Sequence, residues 1–142
     1  MDRGASPSAL LGLALSVALY VCCLPFYSFC VNGRCSDWPS WGVLVFGWLG
    51  IAASPANFLW AANPLLLLGW LCIAAGDKRI ALYLSVSSLI LSVAFLGMNK
   101  VVTSEGGTPY PITGVKLGYW FWLASTGVSA IASMMMPRRQ SA

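Results

Sequence analysis

From Trp41 to Ala75 the chain runs for thirty-five residues without one Asp, Glu, Lys or Arg. Three further charge-free apolar runs occupy residues 9–29, 80–98 and 118–136. A charge held in hydrocarbon costs several kcal/mol, and about 20 apolar residues in a helix cross a bilayer core. Of the 142 residues, 58% are hydrophobic and 8% charged. A water-soluble surface of this size needs far more charge than that. The pattern therefore predicts an all-α, polytopic membrane helix bundle forming a single membrane domain over residues 1–142, with the lipid bilayer as its first partner.

The net charge of +4 does not indicate nucleic-acid binding, because the eight basic residues stand singly or in pairs. Such scattering suits membrane orientation instead. The chain has no histidine, which removes the commonest general base and metal ligand. Neither a catalytic group, a metal site nor a cofactor is expected. The first run is longer than a typical signal core, and the residues before Cys22 are bulky, so it reads as a retained span.

Four transmembrane helices are expected at about 9–29, 56–75, 80–98 and 118–136. The stretch 41–75 is too long for one span and barely long enough for two. Ser54–Pro55 has the form of a helix start, an N-cap followed by proline. A short interfacial or re-entrant helix at about 41–53 followed by one span is thus favoured, with external loops at 30–40 and 99–117. The alternative is five spans. Basic residues do not separate the two: Arg3, Lys78, Arg79, Arg138 and Arg139 lie inside with four spans, and five spans only exchange Arg3 for Arg34. Length favours four, with both termini cytoplasmic. The loop 99–117, with Gly106–Gly107, Pro109, Pro111 and Gly114 among Val, Tyr and Ile, suits a short hairpin or ordered turn.

Cys30-Val31-Asn32-Gly33-Arg34-Cys35 carries the sharpest local signal. Asn-Gly is the preferred centre of a type I′ hairpin turn. That turn makes Val31 and Arg34 the closing pair and sets Cys30 opposite Cys35, about 4.5 Å apart at Cα, close enough for a disulfide. A structural staple is the simpler reading and redox chemistry the sharper one. Four-helix oxidoreductases that pass electrons from a disulfide to a quinone resemble this chain in size and span number. This chain departs from them in having Cys-x4-Cys spacing and no second external pair.

Asn63–Pro64 falls near the middle of its span. Pro64 is a helix break that frees the carbonyl of Trp60, and Asn63 beside it makes a polar spot at depth. Polar groups in hydrocarbon need partners. Ser85, Ser88 and Ser92 share one face of the next span. Across the short connection 76–79, Asn63 lies level with Ser92, so a hydrogen bond from Asn63 to Ser92 or Ser88 is predicted. Ser125, Ser129 and Ser133 form a second hydroxyl row, and Gly12 with Ser16 a small-xxx-small pair. These groups read as glue between helices, or alternatively as a narrow polar path. All four acids, Asp2, Asp37, Asp77 and Glu105, lie in loops or tails. That disfavours a proton-coupled carrier, and the first span lacks the glutamate of small multidrug carriers of similar size. The seven tryptophans suit an aromatic belt.

Trp41-Gly42, Gly47-Trp48-Leu49-Gly50 and then Phe58-Leu59-Trp60-Ala61-Ala62-Asn63-Pro64-Leu65-Leu66 together resemble a pattern of small, uncharacterised bacterial membrane proteins. In these a Trp-Ala-x-Asn-Pro-Leu run follows a Gly-Trp-rich segment, and the last helix opens as Gly118-Tyr119-Trp120 does here. The resemblance implies a bacterial inner-membrane setting and brings no activity with it. The expected role is that of a non-enzymatic structural or accessory subunit, whose partner is another membrane protein or a second copy of itself. An oligomeric pore or uncoupled carrier for a small solute is the alternative, and a disulfide–quinone oxidoreductase the third.

Overall fold

A computed structural model describes residues 6–104 and 106–137. Asp2, Arg3, Glu105, Arg138 and Arg139 lie outside them. The described chain is mostly helical, with a small three-stranded sheet at one end. The order is α1 (Pro7–Cys23), β1 (Phe29–Val31), α2 (Ser40–Phe46), α3 (Pro55–Phe58), α4 (Ala62–Ala74), α5 (Lys78–Ala94), β2 (Lys100–Val102), β3 (Pro109–Val115) and α6 (Leu117–Met135). Short 3-10 turns follow α2, α3 and α5.

Three of the helices begin at side-chain caps. Ser6 caps α1 ahead of Pro7, accepting from the amide of Ala9. Ser54 caps α3 ahead of Pro55, and Asp77 caps α5 by accepting from the amide of Ile80 at 3.2 Å. Such side chains satisfy amides that have no partner inside the helix. The far end of α6 is closed by Lys78, whose Nζ donates to the carbonyls of Met134 and Met136.

α1 packs along α6, α4 along α5, and α5 along α6. The pairs Ser16–Ser125 and Gly12–Ala132, Ala62–Ser88 and Gly69–Ser85, and Ser85–Ser129 and Ser92–Tyr119 make each packing antiparallel. At the end holding the α4–α5 turn, Ala9, Ile73, Ala81, Ala132 and Met136 form a buried cluster. At the other end Phe29, Val31, Ala56 and Val101 cluster beneath the sheet. Two continuous helical segments, Pro55–Ala74 and Lys78–Gly97, are long and apolar enough to cross a membrane. Each has 20 residues, about 30 Å at helical rise.

The sheet corrects the all-α expectation. Its order is β1-β3-β2, antiparallel throughout. The β2–β3 hairpin occupies the loop for which the sequence predicts one, but β1 joins it from the loop after α1. Edges of short hairpins leave amides and carbonyls unpaired, and pairing the two loops satisfies both. β1 also shortens the first helix. Its expected range reached residue 29, but α1 stops at Cys23 ahead of Pro25, and Phe29 is already a strand residue. Pro111 of the central strand pairs with Lys100 on one side, and on the other its carbonyl accepts from the amide of Asn32 at 3.1 Å.

The Ser40–Gly50 segment does not traverse the bundle. Ser40 at its start donates its amide to the carbonyl of Phe26, and Gly50 at its finish lies against Asn57, which bonds to Val102 of β2. Both ends therefore stand at the sheet end.

Candidate functional site

The hairpin after α1 is closed as its residues predict. Asn32 and Gly33 both have positive φ (51° and 76°), the conformation a type I′ turn requires. Val31 and Arg34 pair across it, and Cys30 and Cys35 form a disulfide with Cα atoms 4.1 Å apart. Cys30 is buried in the sheet. Cys22, Cys23 and Cys72 are free thiols.

The long helices are lined with hydroxyls. Ser16, Ser85, Ser88, Ser92, Ser125, Thr126, Ser129 and Ser133 have no exposed surface at all. Their partners decide how the helices sit. Ser16 Oγ donates to the carbonyl of Ser125, and Ser125 Oγ donates to the carbonyl of Ser16, both at 2.8 Å. Trp70 Nε1 donates to the same Ser16 oxygen at 2.9 Å. Ser85 and Ser129 share a hydrogen bond of 3.0 Å between α5 and α6. Among the described residues no buried side-chain nitrogen or oxygen is left without a partner.

Asn63 is bonded differently from the expectation. Neither Ser88 nor Ser92 reaches it: Ser88 Oγ donates to the carbonyl of Ala62, and Ser92 Oγ to the carbonyl of Ser88. Ser92 takes the main-chain carbonyl one turn back in its own helix, which competes with any cross-helix partner. Ser88 crosses to α4 but meets a main-chain carbonyl there instead of the Asn63 side chain. Asn63 Oδ1 instead accepts from Tyr20 Oη at 2.9 Å and from Trp122 Nε1 at 3.1 Å. Its Nδ2 donates at 3.1 Å to the carbonyl of Trp60, the carbonyl that Pro64 leaves without its i+4 amide. One amide thus joins α1, α4 and α6. Sequence reasoning missed Tyr20 and Trp122, although a phenol or indole inside an apolar helix must place its polar tip somewhere.

The aromatic belt also needs correction in part. Trp60 donates to the carbonyls of Val43 and Leu44, and Trp70 and Trp122 serve the interior. Trp41, Trp48 and Trp120 are exposed.

Above Asn63 lies a cavity of about 470 Å³. Tyr20, Asn63 and Trp122 stand at its deep end, with Tyr119 beside them. The Ser40–Gly50 segment and α3 wall one side, and β2 with the start of the β2–β3 loop walls another. Two tethers hold these walls. Trp60 pins the α2 carbonyls, while Asn57 pairs with both backbone groups of Val102: the Val102 amide donates to Oδ1 at 3.1 Å, and Nδ2 donates to the carbonyl at 2.8 Å. Asn57 thereby acts as an extra residue on the open edge of the sheet.

No charged side chain lines this cavity, and no cluster of three metal-ligating side chains occurs, both among the described residues. The arrangement can take up an apolar molecule and hold it by a few hydrogen bonds. Compared with known proteins, the chain matches no family model, no curated protein and no solved structure.

Proposed function

We propose that the chain is a four-span protein of the bacterial inner membrane that acts without catalysis, as a small structural or accessory subunit. One observation carries this reading. The helices turn fully buried hydroxyls inward and large apolar side chains outward, with Leu11 73%, Leu71 66% and Tyr83 65% exposed. Water would penalise such a surface, whereas lipid accepts it. The same surface gives a partner helix a face to pack on, and buried small residues let helices approach closely.

The path of the chain supports an even number of crossings. Pro55–Ala74 and Lys78–Gly97 are long enough alone, and α1 and α6 lie antiparallel along the same bundle. The Ser40–Gly50 segment begins and finishes at the sheet end, which favours an interfacial or re-entrant piece over a fifth span. A disulfide suits an oxidising compartment. This supports a reading with the sheet outside and the α4–α5 turn, with Lys78 and Arg79, on the cytoplasmic side.

Photocrosslinking from Leu11, Leu71 and Tyr83 in intact cells tests the subunit role. A discrete adduct with one membrane polypeptide, or with a second copy, is expected. Adducts with lipid alone, together with solute flux through vesicles holding the purified chain, would replace it with the pore or carrier reading.

A further inference from the structure

We propose that the cavity above Asn63 is a binding site for an uncharged lipid that presents a carbonyl oxygen to the buried amide. Its 470 Å³ falls within the range of small-molecule sites, about 300–1,000 Å³. The lining is apolar side chains and uncharged polar groups, with no charged side chain among the described residues. A phosphate or ammonium group drawn to the bottom would lose its water and find no counter-charge. The described wall suits a neutral molecule.

The polar groups at depth narrow the chemistry further. Asn63 is 6% exposed, and its carbonyl oxygen is already filled by two donors, Tyr20 and Trp122. Its amide nitrogen has two hydrogens and gives one to Trp60. The second has no acceptor among the described residues. Ser28 and Ser40, 8% and 7% exposed, also line the cavity. Their oxygens share one hydrogen bond of 2.7 Å, and Ser40 is also bonded to the sulfur of Cys23. The Cys23 sulfur nearby in the lining is at best a weak acceptor. The bottom of the cavity therefore holds, in the second Asn63 hydrogen, a donor without an acceptor among the described residues, beside hydroxyls that can both donate and accept. A carbonyl oxygen complements it, and the hydrocarbon of the ligand fills the apolar volume above.

The exposed lining residues Phe46, Leu49, Ala53, Ser104 and Gly107 mark its rim, between the segment after α2 and the β2–β3 loop. Phe46 and Leu49 are also among the outward apolar residues. The ligand reaches the site from the bilayer, and only in this respect does the inference rest on the membrane reading. Acylglycerol esters and isoprenoid quinones both supply the shared chemistry, a neutral carbonyl on a long hydrocarbon.

The test uses the full chain in an alkyl maltoside, a detergent without carbonyl groups. Trp38, Trp60 and Trp122 line the cavity and report on it. Brominated dioleoylglycerol and a decyl-substituted benzoquinone are titrated separately as quenchers. Brominated phosphatidylglycerol and a brominated alkane serve as the charged and carbonyl-free comparisons. Saturable quenching by the diacylglycerol, relieved by its unbrominated form, assigns an ester lipid; saturation by the quinone alone assigns a quinone. Either supports the site. Asn63→Leu should weaken the bound probe about tenfold. The double variant Ser28→Ala/Ser40→Ala removes both partners of one bond and leaves the Asn63 contacts in place, so it keeps the fold. It should weaken binding about threefold to tenfold at an unchanged melting temperature. Equal quenching by the phosphatidylglycerol or the alkane, no saturation by either carbonyl probe, or unaltered binding by the double variant would overturn the proposal. Because micelles impose no orientation, these results stand apart from the membrane reading, which fails separately if alkaline carbonate strips the chain from membranes.

Discussion

Ser16 and Ser125 donate their hydroxyls to each other's main-chain carbonyl, both at 2.8 Å, across 109 residues of sequence. The clasp fixes α1 against α6 at one height. Removing either hydroxyl loses one of the pair, and Ser16→Ala also deprives Trp70 Nε1 of its acceptor. Ser125→Ala should cost about 1 kcal/mol and Ser16→Ala about 2 kcal/mol, measured by thermal or denaturant unfolding in detergent. Equal losses for the two would show that Trp70 finds another partner.

One turn away on α1, Gly12 meets α6 with no room for a side chain. A Cβ at that position would stand 2.7 Å from the Cβ of Ala132. Gly12→Val should therefore push the helices apart and destabilise by about 1–3 kcal/mol. Pairing it with Ala132→Gly should restore part of the loss. A double-mutant cycle reads this directly, and strict additivity would mean that the helices separate elsewhere.

Asn63→Leu should destabilise more than the serine changes, by about 2–4 kcal/mol, because it strands both Tyr20 Oη and Trp122 Nε1. Tyr20→Phe made in the Asn63→Leu background should then be nearly neutral or stabilising, since the orphaned phenol is gone. Unfolding midpoints of the four combinations check this.

At the sheet end, Cys35→Ser opens a ring of six residues. The chain-entropy argument for so short a loop gives about 2 kcal/mol lost. The same loss should follow reduction of the unaltered protein. In intact cells, with Cys22, Cys23 and Cys72 changed to Ala, an impermeant thiol reagent should label Cys35 only after mild reduction. Labelling that requires membrane permeabilisation would reverse the proposed orientation.

Asn57→Asp keeps the acceptor for the Val102 amide and loses the donor to its carbonyl, whereas Asn57→Ala loses both. Hydrogen exchange at Val102 should rise by at least tenfold for Asn57→Ala. For Asn57→Asp it should rise much less. Matching rates would show that the sheet edge is protected by the helices beneath it instead.

How much of this was readable beforehand differs from feature to feature. The Asn32–Gly33 turn and the Cys30–Cys35 bridge were readable because each depends on six consecutive residues. The Ser54–Pro55 helix start was equally local. The shared face of Ser85, Ser88 and Ser92 follows from helical period alone. The predicted bond from Asn63 to Ser88 or Ser92 failed because level is not azimuth. Two side chains at one height along neighbouring helices still need to face one another. The strand β1 escaped because Phe29 continues an apolar run, and nothing in that run marks where helix gives way to strand except Pro25.

By itself the sequence determined the apolar runs that hold the long helices, the Asn32–Gly33 turn, and which cysteines can meet. Those outcomes rest on hydrophobic run length, capping residues and turn chemistry, all of which act over a few residues. Tertiary structure alone decided that Tyr20, Asn63 and Trp122 share one hydrogen-bonded hub, that β1 completes a sheet with residues more than eighty positions away, and that a cavity opens above the hub. Helix rotation and close packing set those relations, and both depend on every neighbouring side chain at once.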